Sequence, residues 1–278
     1  MKKYIPLMCM LLASQLYPCG LKSEEVHENP AEKPQSPHTF TGNVSNVSDY
    51  RFRGISQTMR EPAIQGGFDY AHQNGIYLGT WASNVDGTTN FYNNTSMEWD
   101  LYGGYKGKLK PVPEIVYNLG CIYYDYPGGE TFTSEHSRYN TVEFYLELSW
   151  KWLALKYAQT VTNYFGIHAN HRNSRGSIYV EANASFDLLD AVCLNSIQMG
   201  KLNLLLHAGH QTVRHYAHLS YTDWKATLTQ GLDWFNIFLT YVGTNAKHAY
   251  FDVPNHAFSP KKRALGAQGV VCGIVKNF

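Results

Sequence analysis

Residues 141–150 read Thr141-Val142-Glu143-Phe144-Tyr145-Leu146-Glu147-Leu148-Ser149-Trp150. Val142, Phe144, Leu146, Leu148 and Trp150 alternate with Glu143, Tyr145, Glu147 and Ser149. Successive side chains of an extended strand point to opposite faces, so this segment has one apolar and one polar face. A helix would scatter the same residues around its circumference. Residues 97–106 repeat the pattern, with Met97, Trp99, Leu101, Gly103 and Tyr105 opposing Glu98, Asp100, Tyr102 and Lys106. So do residues 178–186, where Ile178, Val180, Ala182, Ala184 and Phe186 oppose Tyr179, Glu181, Asn183 and Ser185.

Working outward, twelve such segments of about ten residues follow one another, the length a tilted strand needs to cross a bilayer. They fall near 39–53, 64–73, 76–85, 97–108, 114–125, 141–150, 152–161, 177–187, 201–213, 223–232, 234–243 and 264–278. The connections alternate too. Tight ones fall at Asn74-Gly75, a hairpin signal, at Trp150-Lys151 and at Leu232-Asp233. Longer polar ones fall at 86–96, 126–140, 162–176, 214–222 and 244–263, and 54–63 is intermediate. Only the connection 188–200 is long where a short turn is expected. The pattern predicts an all-β fold: a transmembrane antiparallel up-and-down β-barrel with short periplasmic turns and longer extracellular loops.

Composition agrees. Of 278 residues 16% are charged and 14% aromatic, with 21 Tyr and 23 Gly. That is too aromatic and too weakly charged for a disordered chain, and it lacks the Ala, Glu, Lys and Leu excess of a helical bundle. The net charge of +1 gives no electrostatic case for nucleic acid. The mean hydropathy of −0.34 looks soluble, but a barrel wall averages two opposite faces. A secreted β-sandwich or soluble β-barrel binding protein is the competing class; it would have short loops at both ends. The loop asymmetry and the aromatics Trp81, Trp99, Tyr124, Trp150, Trp152, Trp224 and Trp234, read as interface girdles, favour the membrane.

Lys2 and Lys3 precede an apolar stretch, Tyr4 to Ala13, too short for a helical span. Residues 1–20 therefore read as a signal peptide; Cys19 follows residues too bulky for a lipoprotein site. Residues 21–38 read as a disordered, proline-rich lead, and 39–278 as the barrel. Cleavage takes two lysines and no acid, leaving a net charge of −1. Cys121, Cys193 and Cys272 remain, an odd number that makes no disulfide framework.

The stretch 39–107 carries a family resemblance. It contains FTGNVSNVSDYRFRGISQT, EPAIQGGFDYAHQNGIYLGTWASNVD and MEWDLYGGYKG, and it resembles the TorF porin family, a bacterial family described only as conserved and of unknown function. The likeness is weaker but collinear to Phe278. It implies a Gram-negative outer-membrane barrel passing small solutes or ions, with no catalytic residues to carry over. Phe278 is an aromatic terminus of the kind handled by the outer-membrane assembly machinery. Expected partners are thus outer-membrane lipid, that machinery, and small solutes or ions.

Strand parity assigns the lumen. Asp49, Arg51, Arg53, Asp69, Glu98, Asp100, Lys106, Glu143, Glu147, Lys156, Glu181 and Lys225 are expected inside, seven acids and five bases. Leu101, Phe144, Leu146, Val180 and Leu228 are expected against lipid. Mixed charges in a twelve-strand lumen suit either a narrow channel of weak cation preference or a closed structural or adhesive barrel whose charges pair across it. Asp49, Arg51 and Arg53 share one face if that strand is regular, with Glu98, Asp100 and Glu143 as candidate partners of the arginines.

No G-x-S-x-G elbow or P-loop is present, so no enzyme is expected. His207 and His210 lie three apart in a predicted strand and must face opposite ways. His168/His171 and His215/His218 have ligand spacing but no nearby acid or Cys to complete a metal set. No cofactor or metal is expected.

Overall fold

The computed structural model describes residues 36–86, 95–130, 137–169, 172–188, 200–254 and 262–278. The expected signal peptide, the lead up to residue 35, most of the connection 188–200, His171 and Cys193 lie outside them.

Twelve strands close into one antiparallel barrel. They are β1 His38–Val47, β2 Ala63–His72, β3 Ile76–Asn84, β4 Met97–Lys108, β5 Ile115–Asp125 and β6 Thr141–Trp150. They continue as β7 Leu153–Thr160, β8 Ile178–Asp187, β9 Leu202–Thr212, β10 Tyr221–Gly231, β11 Asn236–Thr244 and β12 Gly269–Asn277. Each pairs with its sequence neighbour, and β1 closes the ring on β12 with Asn43 opposite Asn277. Closure removes the free edge, so ladder hydrogen bonds satisfy the wall's backbone without water. Among the described residues no helix is long and apolar enough to cross a membrane.

Apart from the connection between β8 and β9, short turns gather at one rim and long loops at the other. At the short-turn rim Gly75 takes φ 104°, a conformation few side chains tolerate, and Phe278 exchanges both backbone hydrogen bonds with Gly42. The expected apolar face is outward: Leu101, Phe144, Leu146, Val180 and Leu228 are all exposed. Cys121 and Cys272 lie on strands as free thiols.

Two boundaries differ from expectation. The last strand begins at Gly269, because Lys262–Ala264 pairs instead with Asp252–Pro254 in a separate ribbon. The first ends at Val47. There Ser48 caps the ladder edge, donating its amide to Cys272 O at 2.8 Å and accepting the Cys272 amide on its hydroxyl at 3.0 Å.

Trp81 and Tyr124, expected in the girdle, are instead buried inside with Tyr77, Tyr102, Tyr145, Tyr179 and Phe238. Parity explains this, since Tyr77, Trp81 and Ser83 share the inward face of β3. Trp99, Trp150, Trp152, Trp224 and Trp234 do lie exposed on the outside. Glycines make room for the inward rings. A Cβ on Gly79 would fall 2.2 Å from the Tyr102 ring, and one on Gly209 would fall 2.0 Å from the Tyr179 hydroxyl. The rings therefore lie along the wall, over the bare backbone of the neighbouring strand.

Candidate functional site

The chain leaving β1 turns into the barrel. Arg51–Phe52 and Ile55–Ser56 pair antiparallel. Arg53 (φ 47°) and Gly54 (φ 79°) form the tight turn between them. Two consecutive left-handed residues are what a two-residue hairpin turn demands. A Cβ on Gly54 would meet Thr244 Cγ2 at 2.4 Å, so the turn is also sterically reserved for glycine.

This overturns the expectation that Asp49, Arg51 and Arg53 line one face of a wall strand. All three belong to the inward-folded loop 48–62. Asp49 is the local partner of Arg51, at 2.5 Å from Nε, and also accepts from Ser56 Oγ at 2.6 Å. Arg51 Nη1 donates to the carbonyls of Gly54, Leu265 and Ala267 at 2.9–3.0 Å. That ties loop 48–62 to the chain entering β12. Burial lowers the Arg51 pKa, with Asp49 opposing the fall.

Arg53 reaches the far wall. Nη2 donates to Glu143 Oε2 on β6 at 2.6 Å and Nη1 to Glu143 Oε1 at 3.0 Å, a bidentate pair. Nη1 also donates to Gln211 Oε1 on β9 at 2.7 Å. The guanidinium stands 4.0 Å from the Tyr179 ring centroid on β8. Burial works against its charge, but Glu143 together with Tyr124 and Tyr164 outweighs burial and holds the Arg53 pKa well above the ordinary value. One loop from the β1–β2 rim is thus strapped to β6, β8 and β9 across the lumen. Of the three candidate acids, Glu143 receives this arginine.

A small apolar core backs the strap. Ile55 and Met59 are buried with Tyr221, Phe251 and Leu265, which come from the rim around β10 and from the β11–β12 connection. Arg263 adds an ion pair to Glu61 at 2.5 Å and a hydrogen bond to Met59 O.

The other residues assigned by parity all lie on inward positions of the wall. Asp69 accepts from Tyr102 Oη at 2.6 Å. Glu98, Asp100, Glu143 and Glu147 are buried, while Lys106, Lys156, Glu181 and Lys225 are partly exposed. Register sets Glu147 opposite Lys156 and Lys156 opposite Glu181, so charges of alternating sign run across β6, β7 and β8.

Sequence reading missed a second cluster. His207 lies between Asn183 Oδ1 (2.7 Å) and Asp223 Oδ2 (2.9 Å), and Tyr179 Oη donates to Asp223 Oδ1 at 2.9 Å. The usable signal was parity again: Asn203, Leu205, His207, Gly209 and Gln211 form the inward face of β9. His210 faces out, opposite to His207 as expected, and meets Thr222 Oγ1 at 2.9 Å.

The loop histidines do not converge. His215 Nδ1 bonds Asn173 O at 2.8 Å, whereas His218 lies against the Tyr250 ring at 4.5 Å. Among the described residues no three of His, Cys, Asp or Glu are placed together as a metal set. Ser137 Oγ lies 3.1–3.2 Å from both nitrogens of His168. That near-equal approach aligns with neither lone pair, unlike a nucleophile–base pair.

A model of a bacterial protein family of unknown function, Gcw_chp, matches residues 31–278. No curated protein matches the sequence. Among solved structures the chain is similar to the KdgM porin, with TM-score 0.50 and 8% identity over 86% of this chain and 98% of that one. A second structure, KdgM porin in complex with disordered oligogalacturonate, gives TM-score 0.49 and 8% identity over 86% and 99%. Pseudomonas aeruginosa OprD gives 0.35 and 9% over 88% and 67%. At these identities the likeness is one of fold, a porin-like closed β-barrel.

Proposed function

The chain belongs to the Gcw_chp family of bacterial proteins of unknown function, and from that premise we propose that it is an outer-membrane channel of narrow, charged lumen. The observation that carries this reading is the Arg53 strap to Glu143 and Gln211. It crosses a lumen whose wall holds partly exposed charges, Lys106, Lys156, Glu181 and Lys225. Charges that keep some water access on an inner wall line an aqueous vestibule, and a strap across the lumen acts as a constriction. Small solutes or ions are the cargo, with a weak preference for cations from the excess of acids.

The resemblance of residues 39–107 to TorF porins supports the same reading. So do the exposed apolar outer face and the aromatic end Phe278, which suit outer-membrane lipid and the assembly machinery. On this view residues 1–20 export the chain, the short turns face the periplasm, and no catalysis is involved. Planar-bilayer recording of the purified, folded barrel tests it. A small conductance with a weakly cationic reversal potential is expected, raised severalfold by Arg53→Ala. Folded barrels that conduct in neither form would overturn the proposal.

The apolar core of Ile55, Met59, Tyr221, Phe251 and Leu265 favours a second reading, a closed barrel that adheres through a built loop cap. Silence of both forms in the bilayer, together with cell binding lost on replacing the loops, would support it instead.

A further inference from the structure

Three exposed arginines, Arg172, Arg175 and Arg214, meet where the β7–β8 and β9–β10 connections join at the long-loop rim. Ser174-Arg175-Gly176-Ser177 is a tight turn, closed by the Ser177 amide on Ser174 O at 3.2 Å, with Gly176 at φ 79°. The β9–β10 connection is bonded along this segment. Arg214 Nη1 donates to Arg175 O at 3.3 Å, and the Arg214 amide to Ser177 Oγ at 3.1 Å. His215 Nδ1 donates to Asn173 O at 2.8 Å, and Tyr216 Oη to Arg172 O at 2.8 Å. Residues 161–177 and 213–220 contain three arginines, four histidines and no acid. Among the described residues none of the three arginines has an acidic partner. These bonds therefore hold like charges together with nothing to offset them, and an anion would relieve the repulsion.

Outward parity places the cluster on the lipid side of the wall. On β7 Tyr157 and Gln159 face out, and register sets them beside Val180 and Ile178 of β8. Val180 leads on to His210 of β9 and Thr222 of β10, one outward position beyond Trp224. Tyr157, Val180 and Trp224 are exposed. A Cβ on Gly176 would lie 3.3 Å from Arg214 Nη1 and 3.6 Å from Gln159 Nε2. The Arg214 guanidinium thus rests on the same outer face as Gln159. Going up the outside, the wall passes from Tyr157, Val180 and Trp224 through Gln159, His210, Thr212 and Thr222 to the arginines. That is the order of a membrane leaflet: hydrocarbon, an interface marked by Trp and Tyr, then anionic head groups. A soluble polyanion would require no continuity with the lipid-facing wall.

Guanidinium groups grip phosphate oxygens bidentately, and several gathered at one spot suit a phosphomonoester, which carries close to two negative charges. We propose that Arg172, Arg175 and Arg214 bind the phosphate group of a phosphorylated glycolipid in the outer leaflet. The proposal rests on the outer-membrane reading with the long loops outward, and not on conduction.

Native mass spectrometry of the full folded barrel in detergent tests it, with lipid A in bisphosphorylated and dephosphorylated forms as probes. Expected is saturable retention of the bisphosphorylated form, roughly tenfold or more above the dephosphorylated one. A loss of similar size is expected in Arg172→Gln/Arg175→Gln/Arg214→Gln, whose folding is checked by heat-modifiable gel migration. If that variant does not fold, the two lipid forms on the wild type decide. Equal retention of both lipid forms, or retention unchanged in the folded variant, would overturn the site. So would displacement of the lipid by equimolar inorganic phosphate, which would mark a free-anion site instead. Conductance is recorded on the same preparation. A conducting barrel that fails these tests strikes the lipid site alone, and a silent barrel that passes them strikes the channel alone.

Discussion

Arg53 Nη2 lies 2.6 Å from Glu143 Oε2, although 90 residues separate the two in sequence. Both side chains are almost fully buried, at 7% and 2% exposure. The pair joins the first long loop to the sixth strand and fixes how far that loop enters the barrel.

Breaking this pair from one side leaves a buried, unpaired charge. Arg53→Ala is expected to cost about 3–5 kcal/mol. Adding Glu143→Gln removes that charge, and the double variant should recover a large part of the loss. Urea unfolding of the detergent-refolded barrel, followed by tryptophan fluorescence, measures both. If the double variant is no more stable than the single one, the pair does not carry the strap.

Arg51 acts differently. It spreads one guanidinium over three carbonyls and Asp49, a fork that a lysine ammonium cannot reproduce. Arg51→Lys keeps the charge and is expected to lose about 1–3 kcal/mol, the cost of buried acceptors left without donors. Limited proteolysis should then cut within residues 48–62, where the wild type resists.

The inward rings need their glycines. Gly79→Ala places a methyl 2.2 Å from the Tyr102 ring, and overpacking of this kind costs about 1–3 kcal/mol. Tyr102 would also be pushed off Asp69. Gly79→Ala/Tyr102→Leu frees the space and should be no less stable than Gly79→Ala alone, as read from unfolding midpoints.

Burial pushes the Tyr164 hydroxyl up to about 12, with nearby Arg53 opposing the rise. In the unfolded chain a tyrosine titrates near ~10. Between these values the unfolded state binds fewer protons than the folded one, so stability falls as pH rises. The neutral, buried tyrosine contributes fully below about pH 10, and roughly 2–3 kcal/mol is lost by about pH 12. Tyr164→Phe should flatten that part of the profile. A profile identical to wild type would show that Tyr164 titrates normally.

Much of the wall was legible in the sequence because strand parity is a local property. Wherever the backbone stays extended, each residue's face follows from its neighbour's, so Glu98, Asp100, Glu143, Glu147 and Glu181 could be placed inside from sequence alone. Trp81 was misplaced only when its nearness to a strand end was weighted above its parity. His207 entered only the metal search and Asp223 was not singled out, although the parity of β9 places His207 on an inward position. Asp223 stood at a strand start, where boundaries are least certain.

By itself the sequence determined twelve strands, their inner and outer faces and the asymmetry of the loops, because alternation and turn residues act over a few neighbouring positions. Only the tertiary structure decided that the chain after Val47 leaves the wall and that Arg53 chooses Glu143 over Glu98 and Asp100. The physical reason is that parity ends where the backbone ceases to be extended, at the left-handed turn of Arg53 and Gly54. Which acid lies opposite that turn depends on barrel closure, which brings together strands that the sequence keeps far apart.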